Sequence, residues 1–588
     1  MKKLIYITTI ILLTAGCSED WLNTYPLGND TELNFYTTFN AANMTVTAAY
    51  GNYCVERYFD VVYLVLIGGS PSDDIENGGE NIFDAYNFGW DLFQFSPSED
   101  PITDLWGYCY KGIRLASTAI EKFKIIQETA PADQLTLIKN RIAEMKFIRA
   151  FNHFIIAQVY GGGPYITELI IPDQFATTPR ISLSEFYMNI ENDLLEAIPD
   201  LLNRTELDAA NVGRATKGAA QALLGKVYLY ESSYAANYPS DERFAGMRSL
   251  YADALEQLEA VINTPGYKLL GLDSTETYTS WWNSNNSADP STWGKVGAYR
   301  WMFTADADNC AESVWEIQHI QDNLDYLRTR GTYLTIFTTP RLIKTKAGAA
   351  LPEMGWSFNS PSQYLEQAFG NNDTREDGLL STSTKYAGSL DPRYPVTISK
   401  AGDSLLCESA GQQWILVDMS HGTKNNVPTG MLCRKYEASP AEFWNIYTHH
   451  QESPVNIKYI RMGDVYLMAA EAALLSGDAA KALQYVNAVR TRARNSGVEG
   501  GYPAYTGYPK NLTAVNLNDI IHERRIELGG EGHRYFDLVR WNRTEFLNVE
   551  VAERNTNSQF VKNKNEFLPI PLIELQASEG GIKQNLNY

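Results

Sequence analysis

Glu531, His533 and Asp537 crowd into residues 520–541, and they are the residue types of general acid–base chemistry. A histidine flanked by two carboxylates would suit proton relay. The same stretch also reads as a structural corner, with a helix over 520–528, a Gly-rich break, and a second helix bearing Tyr535, Leu538, Val539 and Trp541. Glu523, Arg524, Arg525 and Glu527 stand at spacings that allow ion pairs along one helix. The corner is the better reading, so no catalytic residue is assigned. Other reactive patterns are missing: there is no Gly-Lys phosphate loop, no HExxH and no strand–GxGxxG–helix unit. His449–His450 is an isolated pair, and Asp306 and Asp308 lack the remaining spacing of a calcium loop. No metal site and no cofactor is expected.

Cys17 is the thiol whose surroundings are informative. Met1-Lys2-Lys3 gives a positive start, residues 4–13 form an apolar run, and Thr14-Ala15-Gly16 supplies small residues directly before it. That order makes residues 1–16 a secretory signal, too short in its apolar part for the ~20 residues a membrane span needs. A cysteine at this point resembles a bacterial lipobox, with Thr14 where leucine is usual. Cys17 is therefore expected to carry lipid, and residues 17–40 to tether the body to a membrane. The other cysteines, Cys54, Cys109, Cys310, Cys407 and Cys433, are odd in number, scattered and without CxxC, so they read mostly as buried thiols.

The elements that position such residues are mainly helical. Three- and four-residue apolar steps predict helices over 106–126, 138–160, 183–202, 216–231 and 251–263. Gly161-Gly162-Gly163-Pro164 stops the second of these. Ala219, Ala220, Ala222 and Gly225 are small enough to let a partner helix approach. From 269 to 453 the periodicity collapses into Asn-, Ser-, Gly- and aromatic-rich sequence with short strand-like runs such as 313–319. It returns over 458–476 and 479–494, joined by Gly477-Asp478, a pair that looks like a tetratricopeptide unit. The division expected is 41–268 as an N-terminal helical region and 269–588 as a C-terminal region, in one compact body. The latter holds the irregular insert 269–453, the helix pair 458–494 and the segment 520–541.

Composition narrows the function. The 588 residues hold Lys+Arg 49 against Asp+Glu 70, a net charge of −21, which argues against nucleic acid and against docking on anionic lipid. Tyr 36, Trp 12 and Phe 23 make an aromatic-rich chain, and aromatic faces suit sugar rings.

Residues 520–541, IIHERRIELGGEGHRYFDLVRW, closely resemble the C-terminal signature of the SusD/RagB family of Bacteroidetes outer-membrane lipoproteins. The match lies in Glu523-Arg524-Arg525, in Gly532-His533-Arg534-Tyr535-Phe536-Asp537-Leu538 and in Arg540-Trp541. Arg149-Ala150-Phe151 to Tyr160-Gly161, Tyr459-Ile460-Arg461 to Glu471-Ala472, Phe567-Leu568-Pro569-Ile570-Pro571 and Gln584-Asn585 to Tyr588 match in family order. The resemblance implies a mainly α, SusD-like fold with about four tetratricopeptide-like helix pairs and an irregular aromatic-rich region. It implies capture of glycan at the cell surface, delivery to a SusC-like TonB-dependent outer-membrane transporter, and no catalytic activity. Ser18-Glu19-Asp20 resembles the signal that places such lipoproteins on the cell exterior. Two alternatives stay open: peptide capture, as in the RagB branch, and a surface glycoside hydrolase.

Ligand contacts vary across the family, so candidates come from the loops. One set is Tyr86 and Trp90, in the loop that follows Ser72-Asp73-Asp74. The other is Trp281, Trp282, Trp293 and Tyr299, in a polar stretch with Asn283, Asn285 and Asn286.

Overall fold

The computed structural model describes residues 38–54, 57–79, 89–168, 174, 177–276, 278–279, 295–320, 330–339, 344–345, 355–381, 391–400, 404–409, 413–418, 429–436, 453–496, 507–552 and 555–588. Its longer helices are α1 (Phe39–Gly51), α2 (Asp100–Gln127), α3 (Leu135–Tyr160), α4 (Leu183–Ala197), α5 (Lys217–Asn237), α6 (Tyr251–Ile262), α7 (Met462–Leu475), α8 (Ala479–Asn495), α9 (Leu517–Leu528) and the short α10 (Arg534–Arg540). The mainly helical, paired architecture is the one expected. Each helix packs on the next from α2 through to α8, and α7 also supports α9. The stack is continuous although residues 263–461 separate α6 from α7.

Local chemistry explains most boundaries. Ser182, Thr216 and Asn516 accept the first free N–H groups of α4, α5 and α9, and Asp519 completes a capping box with Asn516. Helix α2 starts at Asp100, before the apolar period begins, because Pro101 occupies the first turn, where no N–H is needed. Gly225 lets α5 and α6 close up, since a Cβ there would stand 2.7 Å from Leu258 Cγ.

Two elements differ from expectation. Residues 457–461 are a strand, and α7 begins only at Met462. Lys458 faces Glu316 across an antiparallel pair with Ser313–Ile317, an ion pair of 3.3 Å, and that pairing overrides the helical pattern. The second is a buried π-helix over Tyr58–Ile67. Its apolar run carries no helical period, because every side is covered. A side chain at Gly68, just past its end, would run into the carbonyl of Gly532 in the Gly-rich break.

Short strands, all but the first in the C-terminal half, are β1 (Ile75–Gly78), β2 (Ser313–Ile317), β3 (Phe358–Pro361), β4 (Ile398–Lys400), β5 (Ser404–Ser409), β6 (Gln413–Asp418), β7 (Met431–Cys433) and β8 (Ile457–Arg461). They pair antiparallel as β1–β3, β2–β8, β4–β7 and β5–β6.

Buried charge binds this half to the helices. Glu527 of α9 is fully covered and meets Arg393 at 2.9 Å, together with Arg461 and Arg492. Arg492 reaches Glu312 at 2.9 Å, and Arg393 and Arg490 reach Glu523 at 2.8 and 2.6 Å. Arg525 joins Asp74 at 2.6 Å, Asp373 at 2.8 Å and Glu376 at 3.0 Å, while Arg534 takes Asp73 at 2.8 Å. Arg524 bridges Asp464 and Asp537, and Arg540 bridges Asp537 and Glu471. The Glu523–Glu527 charges thus pair outward with distant segments, not along their own helix as their spacing had suggested. Burial opposes ionisation of these carboxyls, but the guanidinium groups win and hold Glu523, Glu527 and Asp537 below the usual carboxylate range.

A second device closes the chain on itself. The Asn585 amide donates to the carbonyls of Tyr160 and Leu568, Gln584 brackets Ile570, and Leu568 N–H donates to Val159. The C-terminal segment therefore clasps the end of α3.

Gly225→Val should lower stability by about 1–3 kcal/mol through overpacking against Leu258, read as a lower denaturation midpoint. His533 gives a pH test. Burial and the Lys226 ammonium pull its folded pKa from 6.5 to about 4. The unfolded chain therefore binds the extra proton between those values, and stability should fall as pH drops from 6.5 towards 4, by about 3 kcal/mol at most. Denaturant melts of His533→Asn across that range should show a flatter slope than the parent.

Candidate functional site

The acid–base reading of the signature can be tested on its geometry. Glu531 is buried against Lys435 at 2.6 Å and Arg461 at 2.8 Å. Burial raises its pKa, but those two cations more than offset it and leave the carboxyl at about 2. Asp537 is tied to Arg524 at 3.1 Å and Arg540 at 2.8 Å. His533 is buried with its ring 5.9 Å from that of Tyr459. A general acid must hold a proton near neutral pH and reach a substrate. Glu531 and Asp537 are locked as anions under cover, and the trio is a corner of the fold.

Asp308 is likewise taken up. It accepts the Asn456 N–H at 3.1 Å and faces Lys458 at 3.5 Å, while burial pushes its carboxyl up to about 7. Among the described residues no cluster of His, Cys, Asp or Glu could hold a metal ion. Cys109 and Cys433 are buried free thiols, and Cys54 and Cys310 are half-buried ones.

The aromatic candidates fall into two groups. Trp90 is wholly covered, its ring 5.2 Å from Phe95, while neighbouring Phe93 packs on Phe560 at 5.4 Å and Tyr535 at 6.3 Å. Tyr299 is wholly covered too. Its hydroxyl donates to the Glu527 carbonyl at 2.6 Å, and its ring lies under Arg492 at 5.0 Å, inside the ion-pair lattice. Neither ring offers a face to a ligand in this structure; both serve the core beside the signature. Tyr86, Trp281, Trp282 and Trp293 lie outside the described residues, as does Cys17.

What the structure does fix is the base of the second loop. Tyr278–Thr279 pairs antiparallel with Lys295–Val296, so the segment between leaves and re-enters at one place. Half-buried Tyr278 and Trp301 sit there with ring centroids 4.6 Å apart. The Tyr278 hydroxyl donates to Glu276 at 2.8 Å, and Glu276 also accepts the Gly271 N–H at 2.6 Å. On the first loop, β1–β3 pairing brings Gly78 opposite Phe358, close to half-buried Trp356. Tyr278 and Trp301 bound the polar, aromatic-rich stretch that the sequence singles out, whereas nothing in the sequence marks Trp356 as different from any core aromatic.

Two family models match, in chain order: "Starch-binding associating with outer membrane" over residues 76–229 and "SusD family" over residues 311–588. A SusD-like protein of Bacteroides ovatus is 23% identical over 550 residues, 92% of this chain and 83% of that protein. SusD-like protein P2 of Formosa agariphila is 24% identical over 608 residues, 100% of both chains. Among solved structures, a laminarin-binding SusD-like protein is 27% identical with a TM-score of 0.66, covering 93% of this chain and 99% of its own. Surface glycan-binding protein A from Bacteroides thetaiotaomicron, solved in complex with laminarihexaose, shares the fold at 21% identity and TM-score 0.66, over 94% and 100% of the two chains. With one model on the helical half, the other on the half that carries the buried ion pairs, and a mainly helical fold shared end to end, the chain belongs to the SusD/RagB family.

Proposed function

We propose that this protein is a cell-surface lipoprotein, anchored through Cys17 in the outer membrane and facing the exterior. In this reading it captures an oligosaccharide and delivers it to a SusC-like TonB-dependent transporter. The observation that carries the proposal is the end-to-end likeness to a laminarin-binding relative, which makes a laminarin-type glucan the first ligand to try. The model description of association with the outer membrane supports the location. The aromatic loops support the chemistry. Trp281, Trp282 and Trp293 stack on sugar rings, and Tyr86 of the first candidate loop contributes a further ring. Apolar ring faces would supply affinity and the surrounding Asn side chains hydroxyl recognition. The ion-paired state of Glu531 and Asp537 favours binding over hydrolysis.

Titration with laminarihexaose should change the tryptophan fluorescence and leave the reducing-end count constant. Alanine at Trp281, Trp282 and Trp293 should each weaken binding by about 1–3 kcal/mol where the ring is an anchor. A folded triple variant of undiminished affinity would sink the stacking assignment, and new reducing ends would sink the binding-only reading. Cys17→Ala should abolish acyl labelling and move the protein from the membrane fraction to the soluble one, since stable attachment needs the added lipid chains.

A further inference from the structure

A groove with a volume of about 930 Å³ runs between the start of α4, the end of α5 and the C-terminal segment. None of the aromatic candidates lines it. It has the size of a small-ligand site, roughly 300–1,000 Å³.

Its charges are unevenly satisfied. Arg243 is held by both Asp241 at 2.6 Å and Glu566 at 3.1 Å, a cluster that keeps one net negative charge. Arg180, on the wall, is not so held. Its guanidinium donates to the carbonyls of Tyr160 at 2.9 Å, Gly161 at 2.8 Å and Lys583 at 3.2 Å. Those bonds use three of its five N–H donors, and no described carboxylate pairs with it. Burial lowers its pKa to about 10, which still leaves it charged at neutral pH. Lys562 is exposed on the same wall, with a single long bond of 3.4 Å to the Asn542 amide oxygen. Ser182 and Leu183 bring the N-terminus of α4 to the groove, adding partial positive charge. Glu242 is the lining carboxylate left outside the Arg243 pairs. Around Arg180 and Lys562, which no lining carboxylate pairs, the groove is locally positive beside the helix start, while Glu242 and the Arg243 cluster balance that charge on the remainder of a lining that is formally neutral.

We propose that this groove is a second saccharide subsite, specific for an acidic sugar whose carboxylate or sulfate sits against Arg180 and Lys562. It rests on the glycan-binding reading but on none of the residues that carry it.

The test is calorimetric titration of the full chain with a uronic-acid oligosaccharide, a sulfated oligosaccharide, laminarihexaose and inorganic sulfate. The variants are Arg180→Gln, Lys562→Gln and the Trp281/Trp282/Trp293 triple alanine. The acidic sugars should bind, lose about tenfold or more in affinity with Arg180→Gln and about threefold with Lys562→Gln, and keep their affinity in the triple variant. Acidic sugars that bind all variants alike, or not at all, overturn the proposal, and so does binding of sulfate alone with no saccharide preference. Should Arg180→Gln not fold, Lys562→Glu decides: unchanged affinity for the acidic sugars overturns it. Laminarihexaose lost only in the triple variant, with acidic binding intact, separates the two sites. A parent chain that binds laminarihexaose but no acidic sugar refutes the groove and spares the loops.

Discussion

Everything in this molecule hangs on taking charge out of water in matched sets. Glu527 sits among Arg393, Arg461 and Arg492, each drawn from a different stretch of chain, and all four are fully covered. Desolvating one such ion costs several kcal/mol, so any member left alone would be intolerable, and the set forms together or not at all. The net worth of the set in stability is modest; its worth in specificity is large, because an arginine of this reach accepts few alternative partners. Small sheets of two or three short strands cannot hold 269–453 together by themselves. Arg393, Lys435 and Asp373 act as rivets between that region and α9, which lets the loops beyond them carry sequence chosen for something other than folding.

This explains what the sequence could and could not disclose. Helices α2 to α8 were legible because their apolar stripes face neighbours in simple succession, and the signature at 520–541 was legible as a motif. The partners of that motif were not. Arg525 finds Asp74 from across the chain, and local spacing had offered only Glu523 and Glu527 nearby. The strand at 457–461 was hidden for the same reason: its ladder partner, Ser313–Ile317, is remote. Loop composition pointed to Trp90 and Tyr299 as surface rings, yet both are core. An aromatic in polar sequence is buried when other segments cover it, as β1 and Phe95 do for the turn bearing Trp90 and the arginine lattice does for Tyr299.

The division of labour is clear in physical terms. A stacked helical array and its charge lattice make a rigid frame, in which Gly68 and Gly532 meet with no room for a side chain. In the proposed reading, recognition falls to rings and cations at the frame's edges, where exchange of a residue costs little stability. That separation suits a family whose relatives share the fold at 21–27% identity.

The clasp of Asn585 on the end of α3 has a consequence for how the chain is made. The bond to the Tyr160 carbonyl spans 425 residues of sequence, and Leu568 to Val159 reaches nearly as far. Contacts of such separation form late, after the loop-closure entropy has been met. In a chain delivered N-terminus first, the early helices must wait, partly docked, for the last stretch to emerge. A chain that stalls before Asn585 lacks this fastening of α3 to its C-terminal segment, although its first helices already pack on one another.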